Sequence, residues 1–123
     1  MHSLDPCDHA WVNNSTIFSW RQYLKSELLR QRGYVSDYSG KPLLSVEMHE
    51  GIVTRAAVNK TVPWHYLIYH PYNCFLLSPE EHREVGYKSE WSLQRAYDLY
   101  GRDTVREWFY SLPWKGKPPF QLL

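Results

Sequence analysis

The stretch NCFLLSPEEH, residues 73 to 82, constrains the fold more than any other part of the chain, because it encodes a strand that leads directly into a helix. The apolar run at its start has the length of a strand and is too short for a helix. Ser78 and Glu81 have the spacing of a capping box, and Pro79 occupies the first helical position, where no N–H is needed. We therefore predict a strand over NCFLL and a helix from about residue 79 to 86.

Helical patterns flank this unit on both sides. Residues 15 to 32 combine regularly spaced apolar residues with a run of Lys and Arg, which predicts an amphipathic helix that ends at Gly33. Two more helices are predicted after the capping-box helix, over residues 89 to 100 and 103 to 112.

Between the first helix and NCFLL the sequence favours extended structure. Ser-Gly-Lys-Pro, residues 39 to 42, reads as a turn between two short extended segments, the second over about residues 45 to 54. This pattern predicts a β-hairpin whose second strand carries His49. Helices on either side of a small sheet make the expected class α+β.

Composition limits the kinds of protein that the chain can be. Its 123 residues favour one domain, and an aromatic content of 16% supplies rings that either fill a core or stack on bases. A net charge of +1 excludes a strongly basic nucleic-acid protein, so any phosphate contact must be local. Cys7 and Cys74 predict no disulfide framework, and no segment reads as a signal peptide or membrane span. We therefore expect a cytoplasmic protein with no membrane partner.

A set of residues with a distinctive order, all but one of them polar, lies on or next to three of the predicted elements. Its members are Met48, His49, Glu50, Arg55, Asn73 and His82. With the nine-residue step from Asn73 to His82, this order resembles the HNH (His-Asn-His, ββα-metal) endonuclease family, particularly small phage-encoded members. The resemblance implies a ββα-metal core over residues 34 to 88. An N-terminal helical arm over 1 to 33 and a C-terminal helical extension over 89 to 123 would complete a single domain.

The resemblance also implies an activity and a cofactor. Members of the family hydrolyse DNA phosphodiester bonds with one divalent cation, here Mg, Mn, Ni or Zn, which neutralises the scissile phosphate while a general base deprotonates water. The expected catalytic residues are His49, Glu50, Asn73 and His82. His82 would be a metal ligand, and Asn73 would orient the hairpin loop or the base.

The first motif allows two registers. In one, His49 is a metal ligand and Glu50 stands where the family places its base. In the other, His49 is the base, and Met48 occupies a ligand position although a thioether does not bind hard cations. Glu50 or Glu47 would supply an extra oxygen ligand for magnesium or manganese. Both registers remain open at this point.

Basic residues near these motifs are the expected DNA contacts. We predict Arg55, Lys60 and Arg83 as phosphate-binding residues, together with the basic face of the helix over 15 to 32. The expected partners are DNA and other phage or host proteins. For a phage-encoded protein the location would be the cytoplasm of the host cell.

Four positions depart from the family pattern. Many members hold a structural zinc through two C-x-x-C pairs, and here those positions are Ser36, Ser39, Ser78 and Glu81. Serine hydroxyls do not hold tetrahedral zinc. We therefore predict no structural zinc, and the lost folding free energy must come from other contacts.

Two other functional classes compete with the nuclease. The same fold could bind DNA or a protein partner without cutting, and a small aromatic-rich scaffold could have neither activity. Taken singly, His49 reads as a core histidine, Asn73 as a turn residue and His82 as an exposed helix residue. Only their order and spacing together favour the site.

Overall fold

A computed structural model describes residues 17–54, 67–86, 90–116 and 118. Within these residues it contains four α-helices, a two-stranded antiparallel sheet and a short 3₁₀-helix, which makes the chain a mixed α+β protein, as predicted. In chain order the elements are α1 (Ile17–Arg32), β1 (Glu47–Glu50), the 3₁₀-helix (Pro71–Asn73), β2 (Cys74–Leu77), α2 (Pro79–Val85), α3 (Glu90–Tyr100) and α4 (Arg102–Ser111).

Helix α1 is amphipathic as expected. Trp20, Leu24 and Leu28 recur every fourth residue and are buried, so they form one apolar stripe against the rest of the fold. The indole N–H of Trp20 donates to the carbonyl of Tyr69 at 2.8 Å. Gly33 follows the last helical residue with a φ of +78°, the left-handed conformation that glycine adopts at helix ends.

The sheet pairs strands that are far apart in sequence. β1 lies antiparallel to β2, with Glu47 opposite Leu77 and His49 opposite Phe75. The turn predicted at residues 39 to 42 forms slightly earlier, with the N–H of Gly40 donating to the carbonyl of Ser36, and it closes only an isolated bridge between Val35 and Pro42. The predicted local hairpin is therefore wrong about the partner of β1. All four residues of β2 are buried, including Cys74 as expected, and pairing with β1 satisfies backbone groups that water does not reach.

Helix α2 begins as the capping box predicts. The Ser78 hydroxyl accepts from the backbone N–H of Glu81 at 3.1 Å, and the Glu81 carboxylate accepts from the N–H of Ser78 at 3.0 Å. These bonds satisfy two N–H groups that the first turn would otherwise leave open. The helix is consequently attached directly to the end of β2.

The C-terminal helices complete one hydrophobic cluster. Helix α3 packs against α4, and apolar residues of both join those of α1 and the sheet, with Ala96, Val105 and Phe109 fully buried. Among the described residues, no helix combines the length and the hydropathy that a membrane crossing requires.

Gly51, directly after β1, is required by close packing. A Cβ at this position would overlap the side chain of Ser92 on α3 and lie 2.9 Å from Cδ2 of Phe75. We expect Gly51→Ala to lower the free energy of unfolding by about 1–3 kcal/mol through overpacking, measured by urea denaturation. Adding Ser92→Gly should restore part of that loss, because it removes the overlapping atoms. If the stability losses of the two single variants simply add in the double variant, the close contact between Gly51 and Ser92 is contradicted.

Candidate active site

Two histidines from different elements meet beside the sheet. His49 lies on β1 with 6% of its surface exposed, and His82 lies on α2. Nδ1 of His49 is 3.2 Å from Nε2 of His82, and the two ring planes are inclined at 69°. The structure therefore brings together the two imidazoles that the sequence singled out, through strand pairing and the strand-to-helix connection.

A carboxylate orients one of the two rings. Oε1 of Glu47 lies 2.7 Å from Nδ1 of His82. An ionised carboxylate only accepts hydrogen bonds, so Nδ1 of His82 carries the hydrogen. In the neutral ring this leaves the Nε2 lone pair directed toward His49. The same carboxylate–imidazole arrangement stands behind many metal-binding histidines.

The surroundings of His49 favour its neutral form. Its ring stacks on Trp91 of α3 with centroids 6.0 Å apart and planes inclined at 15°. Burial lowers the pKa of His49 below its usual value, and His82 lowers it further, while Glu50 opposes the change. Nε2 of His49 is buried and has no hydrogen-bond partner within the described residues. A neutral imidazole is the form that accepts a proton or binds a cation.

Asn73 organises the loop that leaves the histidine strand. Its side-chain oxygen accepts from the backbone N–H groups of Ile52 and Val53 at 2.9 and 2.7 Å. Its amide nitrogen donates to the carbonyls of Val53 and Ile68 at 3.0 and 2.9 Å. The side chain is fully buried, and these four bonds run to backbone rather than to an imidazole.

The other predicted site residues are placed differently. Side chains alternate along a strand, so Glu47 and His49 occupy one face of β1, and Glu50 points to the other, opposite Cys74. The assignment of Glu50 as base or ligand stays a prediction. Arg83 is exposed on α2 next to His82, whereas Arg55 and Lys60 lie outside the described residues.

The donor set fits two of the ligands that a cation requires. Two nitrogens bound to one tetrahedral zinc at about 2.0–2.1 Å lie about 3.3 Å apart. The observed separation of 3.2 Å between the imidazole nitrogens is close to that value. The geometry therefore allows His49 to be a second ligand beside His82, or to accept a proton beside a cation that His82 alone would bind. Among the described residues, no group of three or more His, Cys, Asp or Glu side chains is arranged to hold a metal ion. The remaining positions would therefore belong to water and substrate oxygens, which is common in catalytic sites.

The four positions that hold zinc in the resembling family lie together. The Glu81 carboxylate accepts from the backbone N–H of Ser78 at 3.0 Å, and the side chains of Ser39 and Ser36 lie close enough to interact with it. Its burial raises its pKa, but these hydrogen bonds outweigh that effect, and the pKa of Glu81 is lowered overall. The Ser36 hydroxyl also accepts from the N–H groups of Tyr38 and Ser39 at 3.0 and 3.1 Å. This serine–glutamate cluster joins the turn before β1 to the helix that carries His82.

A buried ion-pair network supports the opposite side of that turn. The Asp37 carboxylate accepts from Arg32 at 2.8 Å, from Arg95 at 2.9 Å and from the N–H of Leu76 at 2.7 Å. Arg32 also donates to the hydroxyl of Tyr100 at 2.8 Å. Burial lowers the pKa of Arg32, but Asp37 and Tyr100 outweigh it and the pKa is raised overall. This ion-pair network connects α1, β2 and α3.

Several residues of the site were not expected from the sequence. Glu47 was expected only as an extra oxygen ligand, although the period-two alternation of β1 already placed Glu47 on the face of His49. Nothing local in the sequence indicated the stacking of Trp91 on His49 or the pairing of Asp37 with Arg32 and Arg95.

Comparison of the chain with protein-family models, with curated proteins and with solved structures finds no match in any of the three.

Proposed function

We propose that this protein is a metal-dependent DNA endonuclease of the HNH type, which hydrolyses phosphodiester bonds with one divalent cation. The observation that carries the proposal is the 3.2 Å approach of Nδ1 of His49 to Nε2 of His82. It joins a strand and a helix through two residues that are 33 positions apart in sequence. The same arrangement includes a carboxylate, Glu47, hydrogen-bonded to the His82 ring, and a buried asparagine, Asn73, that holds the backbone just after the strand of His49.

The residues divide the chemistry between them. His82, held by Glu47, presents one nitrogen to the shared point and would bind the cation there. The cation would supply charge neutralisation for the scissile phosphate and its leaving oxygen. His49 faces the same point in its neutral form. Asn73 keeps the chain after His49 in place through the backbone of Ile52 and Val53.

The placement of the carboxylates bears on the two registers of the first motif. Glu50 points away from the histidine face of β1, so it is poorly placed to deprotonate a water beside His82. We therefore assign the role of proton acceptor to His49, with Glu47 as the carboxylate that positions His82. The clustering of Ser36, Ser39, Ser78 and Glu81 gives separate support to an HNH-like fold, because the resemblance requires those positions to meet.

A plasmid-nicking assay with magnesium, manganese or nickel tests the proposal. The wild-type protein should convert supercoiled plasmid to the nicked or linear form. His49→Ala and His82→Ala should each reduce the rate by at least about 100-fold, the usual range for removing a general base or a ligand. Glu84→Ala is the matched control, because Glu84 is exposed on the same helix as His82, and it should cleave at the wild-type rate.

Two more variants distinguish the registers. Glu47→Gln should reduce cleavage, because an amide holds the His82 ring less strongly than a carboxylate. Glu50→Gln should leave the rate within a few-fold of wild type. Loss of cleavage in Glu50→Gln at unchanged stability would instead identify Glu50 as the base. Equal cleavage by wild type and both histidine variants would reveal a contaminating nuclease and refute the proposal.

A non-cleaving module that binds DNA or protein is the second candidate. It is favoured by the hydrogen-bond distance between the two imidazoles and by the lack of a third protein donor among the described residues. Full DNA affinity with no cleavage under any of the three metals would select this alternative.

A further inference from the structure

A pocket of about 250 Å³ opens beside His82, between α1 and β1. One wall is formed by Arg21, Gln22 and Lys25 of α1, and the opposite wall includes Glu47 and His82. Its volume lies just below the roughly 300–1,000 Å³ of typical small-molecule sites, which suits a phosphate group with part of a sugar. The pocket adjoins the candidate active site through the His82 ring that both share.

The basic residues of this pocket differ from the other basic residues of α1 because they form no ion pair within the described part of the chain. Helix α1 carries four basic residues, of which Arg30 pairs with Glu27 at 2.6 Å and Arg32 with Asp37 at 2.8 Å. The other two are Arg21 and Lys25, and neither forms an ion pair with any residue that the structure describes. Within the part of the chain that the structure describes, the two cations of this helix without an ion-pair partner are therefore the two that line the pocket.

Arg21 is held in place by an aromatic ring rather than by a carboxylate. Its guanidinium carbon lies 4.8 Å from the centroid of the Tyr69 ring, and its Nε is buried with no hydrogen-bond partner among the described residues. Lys25 follows four residues later, so both side chains leave the same face of α1. An oriented guanidinium beside a half-buried ammonium is a good donor set for phosphate oxygens.

The balance of charge in the pocket favours an anion. Among the described residues of the lining, Glu47 is the one carboxylate, and its Oε1 accepts from Nδ1 of His82 at 2.7 Å. Arg21 and Lys25 together exceed its charge by one, and Gln22 adds an amide at the rim. An anion bound there would lie next to the point where the two imidazoles meet.

We infer that Arg21 and Lys25 form a subsite for a non-scissile phosphate of the DNA strand, adjacent to the phosphate that faces His49 and His82. This inference rests on the proposed function, since the two histidines define which phosphate is cut. The subsite would set the register of the strand along α1 and hold the backbone while hydrolysis takes place beside it.

DNA-binding measurements without divalent metal test the subsite separately from cleavage. Binding of a fluorescent duplex is followed by anisotropy in EDTA over a series of salt concentrations. Lys25→Gln should lower the slope of log K against log[salt] by about 0.9, the value for one phosphate contact, and weaken binding by about fivefold. Arg21→Gln combined with Lys25→Gln should lower the slope by about 1.8. Circular dichroism confirms that the variants remain folded.

Lys115→Gln is the matched control, because it makes the same change in charge at an exposed lysine outside the pocket. It should leave the slope unchanged. The subsite would be refuted if Lys115→Gln lowered the salt slope as much as Lys25→Gln, or if Lys25→Gln kept the wild-type slope. Inorganic phosphate that competes as well as DNA at equal phosphate concentration and ionic strength would show that the pocket takes free phosphate rather than a strand, which also overturns the assignment.

The outcomes separate the two proposals. A wild-type protein that cleaves DNA, together with a Lys25→Gln variant of unchanged slope, removes the subsite and leaves the nuclease. If the salt slope depends on Lys25 but the protein does not cleave DNA with any of the three metals, the nuclease proposal is refuted and the phosphate subsite remains. A wild-type protein that binds no DNA overturns the subsite whatever the nicking assay gives.

Discussion

Asp37→Ala should lower the free energy of unfolding by about 3–5 kcal/mol, the usual result of breaking a buried ion pair from one side. The Asp37 side chain is 1% exposed, and that of its partner Arg32 is 2% exposed. Alanine would leave the Arg32 guanidinium buried without its counter-charge, and it would also leave the N–H of Leu76 without an acceptor. Urea or guanidinium denaturation measures the loss directly, and a shifted midpoint at an unchanged slope identifies it as a change in stability.

An exposed pair on the same helix supplies the control. Arg30 and Glu27 are 2.6 Å apart, but their side chains are 68% and 24% exposed. Glu27→Ala should therefore change stability by less than about 0.5 kcal/mol. Comparable losses in the two variants would show that burial does not decide the strength of these pairs, and would contradict the role given to Asp37.

The local parts of the fold were accessible from the sequence. Ser78, Pro79 and Glu81 specify the start of α2 by contacts within three residues, so sequence spacing contains the whole interaction. Gly33 ends α1 for a similarly local reason. The predicted strand also formed, over Cys74–Leu77 and without Asn73, because a short apolar run before a helix cap has few alternatives.

The partner of β1 was not accessible in the same way. A turn at residues 39 to 42 predicts a hairpin by proximity alone, whereas the strand actually pairs with β2, more than twenty residues further along the chain. What decides the pairing is burial, since a fully buried β2 must satisfy its backbone groups. The network of Asp37 with Arg32 and Arg95 depends on the same long-range arrangement.

The candidate site shows both situations. The proximity of His49 and His82 was expected from their order in the chain together with the family resemblance. The carboxylate behind His82 was not, because Glu47 and Glu50 differ only in which face of β1 they occupy, and a shift of one residue in a strand exchanges the faces. The stacking of Trp91 on His49 needs the docking of α3 and has no local signature.

The second large effect is expected at Asn73. Asn73→Ala should lower the free energy of unfolding by about 3–5 kcal/mol, because it leaves two N–H groups and two carbonyls of a buried loop without partners, each costing about 1–3 kcal/mol before relaxation. Asn73→Asp should also be strongly destabilised, since it loses both donors and buries a charge. Thermal and urea denaturation measure both variants.

Gln94→Ala is the matched control, since it removes an exposed amide that donates to Asp98 at 2.9 Å, and it should cost less than about 0.5 kcal/mol.

A cleavage assay then distinguishes a role of Asn73 in stability from a role in positioning His49. Its bonds hold Ile52 and Val53, just beyond His49, so a loosened loop should let the His49 ring move away from His82. Asn73→Ala should therefore cleave more slowly than wild type even under conditions where it is folded, by more than its fraction of unfolded protein explains. Wild-type cleavage by the folded variant would limit Asn73 to stability and would mean that β1 alone holds His49 in position.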